Sequence, residues 1–423
     1  MRKLLYCLHL LFAFSISMNA QNHDLIGYWQ NWNDAAAPYI QLDQIDQRYS
    51  IVEVAFAVPV TGTDYQMHFT PDQVNPVQLK AQIQTLKAAG KKVIVSMGGA
   101  TDPVSLDNII EKDSFVVSML RIIDDYDFDG IDIDFEGASV MTTGGTISTP
   151  VDQKIILLID AIKEIQLSYY NNHQRHLMLT MAPETAFVQG GQSTFGGIWG
   201  AYLPVIDALR DSLDVLSVQL YNSGSMYGID GNIYNQGTAD FIVAMTEAAI
   251  QGFNTTGGHF AGLPPGKVAV GLPACTGAAG GGFTDTATVA SAIRYLTGTG
   301  PRPGNYTLTN PAGYPDLRGM MTWSINWDAS CAANYSYAEN YHHLFSTSTA
   351  ITENLSPQTF IFPNPATDFI NLPMSTGKIE IFNLYGECIL ISENQDRIDV
   401  TGLEKGLYFL KLQNGSRIIW EKI

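Results

Sequence analysis

Eight short, strongly apolar segments alternate with longer amphipathic ones, and this alternation constrains the fold more than any other feature of the chain. The apolar segments indicate strands buried on both faces, and helical patterns separate them. The predicted strands lie at residues 25–29, 50–58, 93–96, 131–136, 176–181, 215–221, 268–272 and 319–324. Eight such strands predict an α/β fold, a closed TIM (β/α)8 barrel. An open doubly wound sheet is the alternative, but no glycine-rich phosphate loop follows the first strand.

The pattern changes after the eighth strand. Residues 346–356 are polar and are predicted to form a linker. From residue 357 to 423, short strands and turn signals replace helical periodicity, which predicts a small all-β sandwich. The barrel is accordingly assigned to residues 21–345, a length that suits one (β/α)8 domain with its loops.

The first 20 residues have the layout of a secretory signal peptide. Arg2 and Lys3 precede an apolar run from Leu4 to Ile16, and small or polar residues follow up to Ala20. A transmembrane anchor needs about 20 apolar residues, so we expect export and no membrane span. The net charge of −18 would repel nucleic acid and anionic membranes, which favours a neutral substrate.

A row of carboxyl groups lies on the fourth predicted strand. Asp132, Asp134 and Glu136 alternate with large apolar residues. Because successive side chains of a strand point to opposite faces, the three acids share one face. Adjacent like charges raise at least one pKa, so such a row is suited to holding or transferring a proton. A metal site is disfavoured, because no histidine lies nearby and hard-cation loops rarely form regular strands.

The segment resembles the D-x-x-D-x-D-x-E signature of family 18 glycoside hydrolases, the chitinase family. All four signature positions are matched, by Asp129, Asp132, Asp134 and Glu136. The resemblance implies that Glu136 is a general acid at the carboxyl end of the fourth barrel strand. It also implies a substrate-assisted reaction, in which the 2-acetamido oxygen of the sugar attacks the anomeric carbon. Asp134 would then hold the acetamido N–H and share a proton with Asp132. No cofactor is expected.

Other strand ends resemble the same family, and barrel active sites lie at the carboxyl ends of strands. The residues concerned, besides the acidic row, are Tyr28, Ser96, Met181, Gln219, Tyr221, Asn222 and Trp323. The resemblance implies that Tyr221 donates to the acetamido oxygen and that Tyr28 and Ser96 hold Asp132. The others are predicted to bind substrate, with Trp323 as a flat apolar floor for a sugar ring.

Two further sets of residues leave alternatives open. Trp29, Trp32 and Trp327 lie near the same predicted rim. The sequence supports two roles for them equally, as outer sugar subsites or as packing residues of the core. Cys275 and Cys331 follow the seventh and eighth strands, so they would meet at one rim as a disulfide or remain free thiols.

The tail has a resemblance of its own. It contains Phe-Pro-Asn-Pro-Ala from Phe362, then Ile-x-Ile-Phe-Asn-Leu-x-Gly, then Gly-Leu-Tyr-Phe-Leu-Lys close to the terminus. This order resembles the type IX secretion sorting domain of Bacteroidetes. The resemblance implies that residues 357–423 engage the type IX secretion machinery and that the protein reaches the cell surface or the medium.

The two resemblances together imply a secreted, endo-acting chitinase that cleaves chitin or chito-oligosaccharides with retention. The connection between the seventh and eighth strands is too short for an extra domain, which favours an open groove. Two other functions stay open, an endo-β-N-acetylglucosaminidase acting on N-glycans and a lectin that binds chitin without cleaving it. Such lectins lose the acid, whereas Glu136 is present, and fold alone does not decide between these functions.

Overall fold

The computed structural model describes residues 23–331, 334–346, 363–371, 377–383, 386–393, 395, 397–412 and 417–423. The described residues form two compact units, one ending at Ser346 and the other starting at residue 363. The predicted signal peptide and all of the predicted linker after Ser346 lie outside the described residues. Among the helices that are described, none has the length and apolar character needed to cross a bilayer.

Eight parallel strands form the barrel. They are β1 (Asp24–Gln30), β2 (Ile51–Pro59), β3 (Lys92–Gly99), β4 (Gly130–Phe135), β5 (Met178–Met181), β6 (Val215–Gln219), β7 (Val268–Pro273) and β8 (Gly319–Trp323). Each strand pairs with the next in the chain, and β8 pairs with β1 to close the ring. Every predicted strand overlaps an observed one, and the predicted TIM barrel is confirmed.

Helices cover the outside of the barrel. They are α1 (Pro76–Ala88), α2 (Ile109–Tyr126), α3 (Gln153–His173), α4 (Leu203–Leu209), α5 (Ala239–Gln251), α6 (Thr286–Leu296), α7 (Ile325–Ser330) and α8 (Ser336–Phe345). Capping side chains fix several starts: Asn75 accepts from the N–H of Gln78, and Asp285 accepts from two N–H groups of α6. The sequence did not predict α7 and α8, which are short and mixed in polarity.

The strand alternation sorts side chains between two layers. Apolar residues on one face of each strand pack against the helices in the large outer core, as Ile131 and Ile133 do. The other face fills the barrel, where Ile26, Ile51 and Met321 form an apolar interior cluster. Polar side chains are buried in the barrel as well, and they include Glu53, Ser96, Asp132, Thr180 and Ser217.

The C-terminal unit consists of two small antiparallel sheets. The four-stranded sheet has the order Cys388–Glu393, Lys378–Phe382, Gly406–Leu412, Arg417–Lys422, and the two-stranded sheet pairs Phe369–Asn371 with Arg397–Asp399. One buried cluster contains Ile370 and Ile398 from the smaller sheet together with Ile379, Ile381 and Leu410 from the larger one. The two sheets therefore share a core, which confirms the predicted small all-β sandwich.

Candidate active site

The acidic row lies on β4, which is buried along its whole length. The strand starts at Gly130, where any Cβ would lie 2.4 Å from the carbonyl oxygen of Met178, so only glycine allows β5 to approach this closely. Asp132 and Asp134 point into the barrel and are 0% and 3% exposed. Glu136 follows the last residue of the strand and is partly exposed. The first signature residue, Asp129, lies at the opposite end of the strand and forms an ion pair with Lys87.

A groove of about 490 Å³ lies at the carboxyl ends of the strands. Six residues of the predicted site line it: Asp134, Glu136, Gln219, Tyr221, Asn222 and Trp323. Trp32 and Phe56 line it too. Asp132 lies one layer deeper, where it contacts Tyr28 and Ser96. The structure therefore brings nine of the ten predicted site residues to one end of the barrel interior.

Met181 is the residue that the structure does not bring to the groove. It is fully buried and belongs to the outer core that also contains Ile133. Its neighbour Thr180 points into the barrel, and successive residues of a strand face opposite ways, so Met181 faces the helices.

Asp132 is held by three hydroxyl groups. Tyr28 Oη and Ser96 Oγ each donate to its Oδ2 at 2.7 Å. Thr180 Oγ1 donates to its Oδ1 at 2.6 Å. Burial raises the pKa of Asp132 above its ordinary value, and the hydrogen bonds oppose this rise because they stabilise the anion. Three donors on one carboxyl fit an anion better than a neutral acid.

Gln219 connects the upper two acids. Its Nε2 donates to Asp134 Oδ1 at 2.8 Å and to the carbonyl oxygen of Ala182 at 2.9 Å, and it lies 3.4 Å from Glu136 Oε1. Burial, with the charges of Glu136 and Asp132, raises the pKa of Asp134 well above its ordinary range. Burial and the nearby carboxyl of Glu184 raise the pKa of Glu136.

Asp132, Asp134 and Glu136 take part in none of the ion pairs among the described residues, so no cation compensates their negative charge there. Acids in this setting retain protons at a pH where free carboxyls lose them. Asp134 and Glu136 are therefore suited to donate a proton at a higher pH than free carboxyls do.

Tyr202 clamps the end of β4. Its hydroxyl accepts from the backbone N–H of Phe135 at 2.7 Å and donates to the carbonyl oxygen of Phe135 at 2.9 Å. Tyr202 lies just before α4, is fully buried and packs edge-on against Phe187. Since Phe135 directly precedes Glu136, this clamp fixes the backbone from which Glu136 enters the groove.

Tyr221 is positioned by the loop that follows β7. Asn222 adopts a left-handed backbone conformation with φ of 53°, which asparagine tolerates better than most residues. Its backbone N–H donates to the Gly281 carbonyl oxygen at 3.0 Å, and its Oδ1 accepts from the Gly281 N–H at 3.1 Å. At Gly282, any Cβ would lie 2.6 Å from the Tyr221 Cα. Burial and the charges of Asp134 and Glu136 raise the pKa of Tyr221, so its hydroxyl remains a donor.

Stacked aromatic rings form one wall of the groove. The rings of Phe56 and Trp323 are 5.9 Å apart and nearly parallel, and Trp32 stacks on Phe56 at 6.2 Å. Trp29, by contrast, is fully buried in the outer core and donates to the Ile40 carbonyl oxygen. Trp327 is partly buried and packs over Gly277 outside the groove lining. Of the three tryptophans near the rim, only Trp32 lines the groove.

Cys275 and Cys331 form a disulfide across a sequence separation of 56 residues. Cys275 follows β7, and Cys331 follows α7, the helix after β8. The bond ties the loop beside Tyr221 to the segment after Trp323.

The sequence interpretation missed four residues that the structure places in or beside the site. They are Glu53, Phe56, Thr180 and Tyr202. A signal existed for Glu53, which is a single acid within an apolar strand whose neighbours predict burial. No local signal marks Tyr202, because its partner Phe135 is 67 positions away and is contacted through the backbone.

Comparisons with known families match both units. Residues 24–355 match the family described as Glycosyl hydrolases family 18, and residues 360–423 match the Secretion system C-terminal sorting domain. Both resemblances suggested by the sequence motifs are confirmed. The chain carries a sorting domain for secretion.

Named relatives match between 74% and 88% of this chain. Chitinase D of Niallia circulans is 44% identical over 320 residues, which are 74% of this chain and 60% of that protein. Chitinase ChiA of Flavobacterium johnsoniae is 36% identical over 400 residues, which are 88% of this chain and 25% of that protein. The chain therefore spans 60% or less of these two relatives. The crystal structure of a family GH18 chitinase from Chromobacterium violaceum superposes with a TM-score of 0.69 at 35% identity, covering 76% of this chain and 83% of that one.

Proposed function

The chain belongs to glycosyl hydrolase family 18, and from this premise we propose that it is a secreted chitinase that hydrolyses β-1,4 linkages between N-acetylglucosamine units. The observation that carries the proposal is the position of Glu136 at the groove end of a buried carboxyl row, beside Tyr221 and an aromatic wall. The chitinase names of the relatives in both sequence and structure support it.

Glu136 is the general acid in this proposal. It is partly exposed to the groove, so it can approach the leaving oxygen of a bound sugar chain. Its raised pKa keeps the carboxyl protonated at a higher pH than that of a free glutamate. A positioned acid of this kind contributes about 10²- to 10⁴-fold to the rate.

The nucleophile is the 2-acetamido oxygen of the substrate. An ordinary retaining glycosidase needs a second carboxyl about 5 Å away to attack the anomeric carbon, whereas family 18 enzymes use the substrate instead. Asp134 accepts from Gln219 and is suited to hold the acetamido N–H and the developing positive charge. The Tyr221 hydroxyl donates to the acetamido oxygen. Water then opens the oxazolinium ion and returns a proton to the Glu136 carboxylate, and the anomeric configuration is retained.

The groove favours a neutral sugar polymer as the substrate. Trp323, Phe56 and Trp32 offer flat apolar surfaces to the ring faces, while Gln219 and Asn222 offer amides to the hydroxyl edges. The reaction requires an N-acetyl group at the scissile sugar. Because the connection between β7 and β8 contains α6 and loops but no separate domain, we propose an open groove and cleavage within chains.

The C-terminal unit determines the destination in this proposal. The sorting-domain match supports export by the secretion system of Bacteroidetes, and we assign residues 357–423 to contact with its type IX machinery. The barrel contains all of the residues assigned to catalysis.

The decisive experiment compares the wild-type protein with Glu136→Gln on a chromogenic chitobioside and on chitotetraose. We expect kcat to fall about 10²- to 10⁴-fold, since the amide cannot donate a proton to the leaving oxygen. Binding of chitotetraose, measured by calorimetry, should be retained because the two side chains have the same shape. Glu164→Gln, a change on α3 far from the groove, is the matched control and should leave kcat unchanged.

Two results would contradict the proposal. If Glu136→Gln kept the wild-type kcat, Glu136 would not be the general acid. Faster release of N-glycans from a high-mannose glycoprotein than hydrolysis of chitotetraose would favour an endo-β-N-acetylglucosaminidase, and tight binding of chitin without any hydrolysis by the wild type would favour a lectin.

A further inference from the structure

Glu53 is a second buried acid in the barrel, outside the acidic row. It lies on β2 between Val52 and Val54, is 0% exposed and points into the barrel interior. A carboxyl group in such a place is costly to ionise, because no water solvates it and no cation pairs with it among the described residues. The mechanism described above does not use it.

Glu53 is connected to the acidic row through one hydroxyl group. Thr180 Oγ1 lies 3.1 Å from Glu53 Oε1 and 2.6 Å from Asp132 Oδ1. A threonine hydroxyl has one proton, so it can donate fully to only one of these oxygens and can accept from the other. The contact of Thr180 with Asp132 is the shorter one, and three donors favour the anionic form of Asp132. We therefore assign the proton of Thr180 to the hydrogen bond with Asp132. The oxygen of Thr180 then accepts from Glu53, which must carry a proton to donate.

The other oxygen of Glu53 leads to the same assignment. Glu53 Oε2 is buried and has no hydrogen-bond partner among the described residues. An anion with one bare oxygen would be far more costly here than a neutral acid. Burial and the charge of Asp132 raise the pKa of Glu53 well above its ordinary range.

The titratable groups around Glu53 are all acids or phenols. They are Tyr28 on β1, Asp132 and Asp134 on β4, and Tyr221 after β6. None of them carries a positive charge that would favour ionisation of Glu53.

We propose that Glu53 is a positioning residue that stays neutral, donates a hydrogen bond to Thr180 and thereby fixes Asp132 as the anion with which Asp134 shares its proton. This inference deepens the proposed function and rests on it for its catalytic part. The protonation state of Glu53 is a property of the folded barrel and is measurable without any activity.

The first test measures the pH dependence of kcat in Glu53→Gln and Glu53→Leu. The amide of glutamine donates as the neutral acid does and cannot ionise, so we expect kcat and its pH profile to match the wild type within about twofold. Leucine cannot donate, and loss of one hydrogen bond should lower kcat roughly five- to tenfold with little change in KM. A shift of the Glu53→Gln profile to lower pH would mean that an anion had been removed, and it would overturn the proposal.

The second test measures urea unfolding of the full chain against pH. The unfolded chain releases the glutamate proton near pH 4.3, whereas the folded chain keeps it, so the stability of the wild type falls as pH rises above that value. In Glu53→Gln the amide does not titrate, so this fall in stability with rising pH is absent. The ratio of the wild-type unfolding constant to that of Glu53→Gln should therefore rise up to about tenfold per pH unit between pH 5 and 7. A ratio independent of pH would show that Glu53 is ionised in the folded protein and would refute the proposal even if the enzyme proved inactive.

Glu247→Gln is the matched control. Glu247 on α5 is also 0% exposed, but its carboxyl accepts from the hydroxyls of Tyr306, Tyr314 and Thr309. Its replacement should lower stability and leave the pH profile of kcat unchanged. If Glu53→Gln and Glu247→Gln gave the same unfolding ratio to the wild type at every pH, the pH effect would not be specific to Glu53, and the assignment would be contradicted.

Discussion

The clamp between Tyr202 and the end of β4 gives a prediction that separates positioning from packing. Tyr202→Phe removes one oxygen atom and keeps the ring, which is fully buried against Phe187. The oxygen makes two hydrogen bonds, at 2.7 Å from the N–H and 2.9 Å to the carbonyl oxygen of Phe135. Its loss frees the backbone immediately before Glu136.

The expected magnitude follows from these two bonds. A neutral hydrogen bond contributes about 0.5–1.5 kcal/mol to stability, so Tyr202→Phe should lower the free energy of unfolding by roughly 1–3 kcal/mol. For a domain of this size, each kcal/mol shifts Tm by about 2 °C, which gives a fall of roughly 2–6 °C. A displacement of Glu136 by about 1 Å would lower kcat up to about 100-fold, with little effect on KM.

Calorimetry and steady-state kinetics on a chromogenic chitobioside measure the two effects. Tyr306→Phe is the matched control, because Tyr306 is also buried and its hydroxyl donates to Glu247 far from the groove. The control should lower Tm and leave kcat unchanged. If Tyr202→Phe behaved like the control, with normal kcat at a lower Tm, the clamp would have no role in placing Glu136.

Three further predictions concern the groove and its surroundings. Tyr221→Phe removes the donor to the acetamido oxygen and should lower kcat about 10²-fold in steady-state assays, with KM nearly unchanged; a fall in affinity alone would assign Tyr221 to binding. Glu184→Gln removes a negative charge that raises the pKa of Glu136, so the alkaline limb of the kcat/KM profile should move to lower pH, and an unmoved limb would exclude this coupling. Replacement of both Cys275 and Cys331 by serine opens a covalent loop that spans 56 positions. Denaturant titration should show a free energy of unfolding lower by roughly 2–4 kcal/mol. An unchanged value would mean that the disulfide adds no stability.

The sequence predicted the parts of the site that depend on periodicity. The alternation on β4 placed Asp132, Asp134 and Glu136 on one face, and the strand ends placed Gln219 and Tyr221 at one rim. These predictions succeed because alternate residues of a barrel strand face the interior, and the residues between them face the helices.

The remaining features depend on contacts that the sequence does not encode locally. Met181 was assigned to the substrate by its motif, yet its parity with Thr180 turns it towards the helices. Trp29 and Trp32 are three positions apart and differ in role, because Trp29 lies within β1 and Trp32 lies in the loop beyond it. Glu53 reaches Asp132 only through Thr180, a partner 127 positions away.

The central claim is that Glu136 cleaves the linkage while the amide of the sugar supplies the attacking oxygen. Proton NMR of the reducing ends released from chitopentaose, recorded before mutarotation, tests it most directly. The account predicts that each new reducing end appears first as the β anomer, the configuration of the bond that was cleaved. First appearance of the α anomer would mean that water attacks the anomeric carbon directly, and it would contradict the account.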